Sequence, residues 1–292
     1  MTSEYDPVLR GKCAVERKTR VVEDARRGRR FAREIWSPQT SGTTPVILFS
    51  HFSGGDRNAS SYLCEHVASH GYTVTALDHS DNQLPRPSEG ANAEEKRTRL
   101  KAWIDARVPD VRFLLETVRP GSEDVGIIGH SFGGWTALAA PSEEPRIAAV
   151  VALAPAGSTN PRPGVIPATL DFAWTRDVPT LVIVGDSDVS IPPDRARDVF
   201  ERVPSSKKFV VLHGVDHVHF VDDAQVAHER VRAMQFPPEL EWMQREIRPF
   251  AELRPEGEAH AIVMGLAVAH FDATLKGRPE ARAFLESYPA IV

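Results

Sequence analysis

The sequence lacks the features that mark membrane, nucleic-acid-binding and disulfide-rich proteins. Its 292 residues include only two cysteines, Cys13 and Cys64, too few for a disulfide framework or for a zinc site with four cysteine ligands. No apolar run approaches the ~20 residues that a transmembrane helix needs. The formal net charge of -5 gives no electrostatic reason to expect a nucleic-acid partner. These absences leave a globular protein with a small-molecule ligand as the favoured class.

The remaining composition is ordinary, with 41% hydrophobic and 26% charged residues. A chain of this length can form a single α/β domain, and we expect one domain spanning residues 1–292. The first ten residues lack the apolar core of a secretory signal. We therefore expect a cytoplasmic protein, in which Cys64, on an apolar helical face, is a buried free thiol.

Short apolar runs alternate with helical patterns along most of the chain. This alternation predicts an α/β fold with a mostly parallel central sheet and helices on both faces. The runs are rich in β-branched residues and nearly continuous, as in strands that are buried on both faces. They cover residues 46–49, 73–77, 125–128, 150–153, 181–184 and 209–212. Before them, residues 15–22 and 33–36 are predicted to form antiparallel edge strands joined by a charged hairpin loop.

Helical stripes fill the intervals between the predicted strands. One helix is predicted to start at Pro109, another follows the pair Pro192 and Pro193, and the last ends at Gly277. The proline-rich segment 157–179 is too short to form a separate cap domain. Residues 224–257 are an insertion that could be a lid over the site, a dimer surface or simple packing.

The sharpest local signal is Gly-His-Ser-Phe-Gly-Gly at residues 129–134. It directly follows a predicted strand and precedes a helical stretch, which is the context of a nucleophile elbow. The tight turn exposes the hydroxyl of Ser131, and a Cβ at Gly129 or Gly133 would strike the neighbouring chain. The sequence therefore predicts that Ser131 is a catalytic nucleophile.

A nucleophilic serine needs a histidine base and an orienting acid, which follow it in that fold in the order acid, then histidine. The loop after strand 181–184 offers Asp186 and Asp188, and we favour Asp188 because it lies deeper in the loop. The loop after strand 209–212 offers His217 and His219. We favour His217, which follows a glycine-bearing turn, and His219 remains a rival.

The same histidine-rich loop admits a metal site. The potential ligands are His213, His217, His219, Asp222 and Asp223. A serine elbow has no need of a metal, so we expect neither a metal nor another cofactor.

The loop after strand 46–49 should supply part of the oxyanion hole. We expect the backbone N–H groups of Ser53 and Phe132 to be its two donors. Phe52 precedes Ser53 and is expected to line the substrate pocket, although a core aromatic under the loop is the alternative. Trp135 is assigned to the same pocket.

Taken together, these motifs resemble the α/β-hydrolase superfamily. More narrowly, they resemble the predicted dienelactone-hydrolase group, which includes type-II platelet-activating-factor acetylhydrolases and cutinase-like polyester hydrolases. The resemblance covers most of the chain and implies the nucleophile Ser131, the acid Asp188, the base His217 and oxyanion donors at Ser53 and Phe132. It rests on the elbow and on the segments 35–38, 49–51, 71–72, 78–79, 185–188 and 214–217.

Two positions depart from the group's pattern. Phe52 stands where the group's Ser-His-Gly loop has glycine, and Ser131 stands where true dienelactone hydrolases carry cysteine. The expected function is a serine esterase that acts on a small-molecule ester. A thioesterase or amidase with the same triad is one alternative, and a noncatalytic fold that binds a small ligand is the other. The oligomeric state is left open.

Overall fold

The computed structural model describes residues 5–118 and 125–292, and within them eight strands form one sheet flanked by eight helices. The strands are β1 (Val15–Asp24), β2 (Arg29–Pro38), β3 (Val46–Ser50), β4 (Thr73–Leu77), β5 (Val125–His130), β6 (Ile147–Leu153), β7 (Thr180–Gly185) and β8 (Lys207–Leu212). The helices are α1 (Ser61–Ser69), α2 (Ala93–Val118), α3 (Phe132–Ala139), α4 (Pro193–Arg202), α5 (Ala224–Ala233), α6 (Glu241–Glu246), α7 (Glu256–Thr274) and α8 (Pro279–Ser287).

The strand order in the sheet is β1-β2-β4-β3-β5-β6-β7-β8. The pairs β1 with β2 and β2 with β4 are antiparallel, and all the other neighbouring strands are parallel. The predicted α/β fold and its antiparallel edge strands are therefore confirmed. In this order, the carboxyl ends of β3, β5, β7 and β8 all lie at one edge of the sheet, where the connecting loops can meet.

Alternate residues of each central strand face opposite sides of the sheet, so two apolar cores form. On one side, Val46 and Leu48 pack with buried residues of α2, α3 and α4. On the other side, Ile47 and Phe49 pack with residues of α1 and α7. Cys64 lies in this second core as a buried free thiol. Both faces of the parallel strands are covered, which explains their continuous apolar runs.

The helix predicted to start at Pro109 is longer than expected. Helix α2 begins at Ala93 and carries Pro109 in its interior. A proline there removes one hydrogen bond and costs ~3 kcal/mol, but the turns before it hold for other reasons. Ion pairs one turn apart, the exposed Lys101 with Asp105 among them, support the helix, and Trp103 is buried. The first half of α2 is too polar to form an apolar stripe, so hydrophobic periodicity does not predict a helix before Pro109.

The segment 224–257 is a chain of short elements. Helices α5 and α6 are separated by a 3₁₀ turn, Pro238–Leu240, and followed by another, Phe250–Glu252. The two prolines at 237 and 238 open the first of these turns, and α6 begins directly after it. Among the described helices, none is both long and apolar enough to cross a membrane.

Candidate active site

Ser131 lies at the turn between β5 and α3, as the motif predicts. Its backbone has φ 58° and ψ -115°, a conformation that L-residues rarely adopt and that only a well-supported turn maintains. The turn is held by the Ser131 N–H, which donates to the Leu153 carbonyl at 2.8 Å, and by the Ser131 carbonyl, which accepts from the N–H of Ala156 at 3.0 Å. This sharp turn exposes the hydroxyl of Ser131 between the end of the strand and the start of the helix.

Two glycines make this turn possible because the chain passes itself without room for a side chain. A Cβ at Gly129 would lie 2.0 Å from the Gly133 carbonyl oxygen, and a Cβ at Gly133 would lie 1.9 Å from that of Ser50. The second contact also brings the end of β3 against the start of α3. The loop after β3 is thereby placed beside Ser131.

Asp188 and His217 form a hydrogen-bonded pair across the loops after β7 and β8. The Nδ1 of His217 lies 2.6 Å from Oδ2 of Asp188. The other oxygen of Asp188 accepts the backbone N–H groups of Ser190 and Ile191, each at 2.8 Å. Because an ionised carboxylate only accepts, the proton of the neutral imidazole lies on Nδ1 and leaves Nε2 free to accept a proton.

The pKa of His217 is raised above its ordinary value of 6.5. Burial alone would lower this pKa, but attraction to Asp188 and the hydrogen bond with it outweigh the burial. His217 is therefore both oriented by Asp188 and made more basic by it.

Ser131 and His217 line the same cavity, of about 260 Å³. One wall is apolar, and most of it comes from segment 224–257 and the loops that carry the acid and the histidine. The apolar lining residues are Val189, Val218, Val231, Met243, Ile247 and Leu253. A second recess of about 150 Å³ also contains Ser131 and His217 and is lined by Ile166 and Ile191. Ser131 thus lies where two apolar recesses meet.

The rival acid and base lie outside these recesses. Asp186 Oδ2 lies 2.6 Å from Nδ1 of His213, whose side chain is 74% exposed. His219 is fully buried between Oδ1 of Asp216, at 2.5 Å, and the Arg254 carbonyl, at 3.0 Å. The geometry brings Asp188 and His217 to Ser131, and it brings neither rival there.

The metal site that the sequence admits is not assembled in residues 5–118 and 125–292, where no group of three histidine, cysteine or acidic side chains is placed to hold a metal ion. Asp222 instead accepts the N–H groups of Ser61 and Tyr62 at 3.0 and 2.9 Å. It stabilises the start of α1, where backbone donors lack helical partners.

No sequence motif pointed to a second carboxylate–histidine pair, which lies beside His217. Asp216 Oδ2 lies 2.5 Å from Nδ1 of His228, on α5, and His228 Nε2 lies 2.9 Å from the Arg248 carbonyl. Burial works to lower the pKa of His228, but the hydrogen bond and attraction to Asp216 raise it. This contact fastens segment 224–257 to the loop that carries His217.

Three of the four predicted oxyanion and pocket residues line a recess at Ser131, and the fourth faces the core. Ser53 lines both recesses, and Phe132, the first residue of α3, lines the smaller one. Phe52 is half-buried and lines the larger recess with its ring edge-on to His130, at 5.6 Å between centroids. Trp135 is not among the lining residues of either recess. Its ring stacks on Phe132 and its Nε1 donates to the Thr169 carbonyl at 2.8 Å, because one turn along α3 the side chain faces the core.

Glycine is not required at the position of Phe52. In the described chain, four residues other than glycine have positive φ, and Phe52 is not one of them. The substitution of the group's usual glycine is therefore compatible with the loop's backbone.

A match to the Chlorophyllase family model covers residues 10–283. Cutinase 2 of Thermobifida cellulosilytica is 27% identical over 187 residues, which is 63% of this chain and 64% of the relative. Chlorophyllase-1, chloroplastic, of Citrus unshiu is 29% identical over 199 residues, 65% of this chain and 59% of the relative. These matches span less than two thirds of each relative's length.

Among solved structures, a ferulic acid esterase from Streptomyces cinnamoneus aligns with a TM-score of 0.70 at 20% identity. The alignment covers 98% of this chain and 97% of that one, so the two share a fold over their whole length. The predicted α/β-hydrolase fold and the similarity to cutinases are confirmed, whereas the sequence motifs did not single out the chlorophyllases. Because the family model matches residues 10–283, which is nearly the whole chain, the chain belongs to the chlorophyllase family.

Proposed function

We propose that this protein hydrolyses carboxylic esters through an acyl-enzyme intermediate on Ser131. The observation that carries the proposal is the position of His217. It is hydrogen bonded to Asp188 at 2.6 Å and lines the same cavity as the strained Ser131. A pocket that only binds a ligand needs no such set of groups. The cutinases and chlorophyllases to which the chain is similar are ester hydrolases, which supports the same class of reaction.

In the first half of the reaction, Nε2 of His217 takes the proton of the Ser131 hydroxyl as the serine oxygen attacks the ester carbonyl carbon. The tetrahedral intermediate collapses when His217 returns that proton to the departing alcohol. In the second half, water attacks the acyl-serine and His217 again removes and returns a proton. Asp188 holds the ring in the required tautomer and stabilises the imidazolium that forms in each half.

Negative charge develops on the ester carbonyl oxygen in both halves. We assign its stabilisation to the backbone N–H groups of Ser53 and Phe132, the second of which belongs to the free N–H groups at the start of α3. An oxyanion donor of this kind contributes ~10²–10³ in rate. No metal has a role in this scheme, because two N–H donors and an imidazole supply the charge stabilisation and the proton transfer.

The two recesses suit an ester with apolar groups on both sides of its carbonyl. The larger recess, of about 260 Å³, and the smaller one, of about 150 Å³, meet at Ser131. A small-molecule ester can therefore place its acyl and alcohol parts in different recesses, with Phe52 bordering the larger one.

Labelling with a fluorophosphonate probe tests the proposal. We expect the wild-type protein to gain one probe, located at Ser131 by mass spectrometry, and to hydrolyse p-nitrophenyl esters. Ser131→Ala should lose both properties and keep its melting temperature, since alanine and serine carry the same backbone strain at φ 58°. A wild-type protein that neither reacts nor hydrolyses would be a noncatalytic binding fold. If matched thioesters or anilides are hydrolysed faster than the esters, the proposed activity becomes that of a thioesterase or an amidase.

A further inference from the structure

A buried polar cluster lies beneath the loop that carries Ser53, and the proposed reaction assigns it no role. Its members are His51, His79, Asp81, Arg107 and Asp110, and each is at most 2% exposed. Charged and polar side chains are rarely buried this completely unless they are paired. Two of them, His51 and Arg107, donate hydrogen bonds to the backbone carbonyls of residues 51 and 52.

The ring of His51 has a defined tautomer. Its Nε2 accepts the backbone N–H of His79 at 3.0 Å, so the ring proton lies on Nδ1. Nδ1 lies 2.7 Å from the Phe52 carbonyl oxygen, to which it donates. Burial and the nearby Arg107 guanidinium lower the pKa of His51 well below its ordinary range, in keeping with a neutral ring.

Arg107 holds the same stretch of backbone from the other side. Its Nη1 donates to the His51 carbonyl at 2.7 Å, and its Nη2 donates to Asp81 Oδ2 at 2.6 Å and to the Phe52 carbonyl at 3.4 Å. The Phe52 carbonyl thus accepts hydrogen bonds from two buried side chains, in addition to one from the Gly55 N–H at 3.1 Å. A guanidinium presents five N–H donors in a rigid planar fork, whereas the three donors of an ammonium group all come from one nitrogen atom.

Peptide geometry carries this constraint to Ser53. In a planar trans peptide, the carbonyl of one residue and the N–H of the next point in opposite directions, and the described chain contains no cis peptide bond. A Phe52 carbonyl held in the core therefore turns the Ser53 N–H outward. That N–H has no hydrogen-bond acceptor in the described residues, and Ser53 lines both recesses at Ser131.

The same guanidinium also contacts the second half of the oxyanion hole. The Cζ of Arg107 lies 4.3 Å from the centre of the Phe132 ring, within the range of a cation–π contact. One buried side chain thereby contacts the Phe52 carbonyl, which shares a peptide group with the Ser53 N–H, and the ring of Phe132.

We propose that His51 and Arg107 are positioning residues for the oxyanion hole, which hold the Phe52 carbonyl in the core and so aim the Ser53 N–H at the ester oxygen. This role rests on the proposed esterase function. It acts on the transition state more than on the bound ester, because the oxygen carries full charge only after attack. Loss of the constraint should therefore lower kcat and leave KM nearly unchanged.

Two substitutions of His51 separate positioning from simple packing. In His51→Asn, the side-chain amide nitrogen falls near the place of Nδ1 and can still donate to the Phe52 carbonyl. In His51→Gln, the amide reaches toward the place of Nε2 and loses that donor. We expect His51→Gln to lower kcat about 10- to 100-fold, up to the lower end of the ~10²–10³ loss known for removal of one oxyanion donor, and His51→Asn to lower it less than about 3-fold. A packing role predicts the reverse order, since asparagine leaves the larger void.

His270 gives a matched control. It is a buried histidine whose Nε2 lies 3.1 Å from the Pro179 carbonyl, on α7 and outside both recesses. His270→Asn and His270→Gln should leave kcat unchanged. The inhibition constant of a trifluoromethyl ketone, which forms a tetrahedral oxyanion on the serine, should rise in His51→Gln by the same factor as kcat falls. Arg107→Lys should follow His51→Gln in both measurements.

The proposal is overturned if His51→Asn loses as much kcat as His51→Gln, or if kcat and the ketone's inhibition constant stay at their wild-type values in His51→Gln. A proportional rise in KM with constant kcat would also overturn it. Fluorophosphonate labelling of the wild-type protein and of Ser131→Ala is measured alongside. Labelled wild-type protein with no effect of His51→Gln refutes the positioning role alone, whereas unlabelled wild-type protein refutes the esterase function as well.

Discussion

The two Asp–His pairs at the ends of β7 and β8 permit a matched test of the orienting acid. Asp188 and Asp186 each hold Nδ1 of a histidine at 2.6 Å, and each uses its other oxygen for backbone N–H groups. They differ in their surroundings, since His217 shares a cavity with Ser131 while His213 is exposed. An aspartate-to-asparagine change in each pair removes the same charge and alters the same hydrogen bond.

The effect of Asp188→Asn follows from the contacts of the carboxylate. Oδ1 accepts the N–H groups of Ser190 and Ile191, so an asparagine must keep its carbonyl oxygen there and turn its NH₂ group toward His217. That NH₂ group requires an acceptor on Nδ1, which moves the ring proton to Nε2. Nε2 then has no lone pair for the proton of Ser131. A triad with the wrong tautomer loses ~10⁴ in kcat, which corresponds to about 5.4 kcal/mol.

For Asp186→Asn we expect kcat to stay near its wild-type value, because Asp186 and His213 line neither recess. The exposed pair contributes ~1 kcal/mol or less to stability, so the variant should also fold. Steady-state hydrolysis of a p-nitrophenyl ester measures both variants, and thermal unfolding checks that both fold. Asp188→Asn should keep its melting temperature within a few degrees, since the backbone donors retain an acceptor. Equal losses in the two variants, or more than a tenth of wild-type kcat in Asp188→Asn, would refute the assignment of Asp188.

Three further outcomes test the site. Asp188 raises the pKa of His217 above 6.5, and the base must be neutral. We therefore expect kcat/KM to rise with pH through an apparent pKa above 6.5. An apparent pKa at or below 6.5 would contradict the pairing of His217 with Asp188. Phe52→Gly should change the preference between short and bulky acyl esters with little loss of stability, since the ring lines the larger recess; an unchanged preference with a large drop in melting temperature would place Phe52 in the core. His219→Ala should lower the melting temperature, because Asp216 loses a buried partner worth ~1–3 kcal/mol, and should keep most of kcat, unlike His217→Ala; equal losses of kcat would transfer the base to His219.

The parts of the site that local sequence can encode were predictable. The turn at Ser131 needs glycine at 129 and 133 for steric reasons that involve only neighbouring elements. The strands that place Asp188 and His217 appear as apolar runs. The order of the three residues along the chain then follows from the fold, so the sequence alone points to Ser131, Asp188 and His217 as candidates.

The parts that the sequence did not reveal depend on contacts between distant segments. His228 reaches Asp216 from a helix that no motif marks, and Arg107 reaches the Phe52 carbonyl from a helix whose start was misplaced at Pro109. Periodicity reports which face of an element is apolar, but it does not say which polar side chain on that face finds a partner. Trp135 shows the same limit, since its position one turn after Ser131 does not disclose that its ring faces Phe132 and the core.

The apolar wall of the larger recess comes in good part from one contiguous stretch, residues 224–257, while the reacting groups sit on loops at the ends of strands. The proposed reacting groups and most of the apolar wall of the larger recess therefore lie in separable parts of the sequence. Exchange of this stretch for one of another sequence could reshape the cavity without disturbing the turn at Ser131, provided that a histidine at 228 still bridges Asp216 and the carbonyl at 248. A library of variants built on that rule would change the shape of the larger recess while Ser131 and the proposed base His217 stay the same.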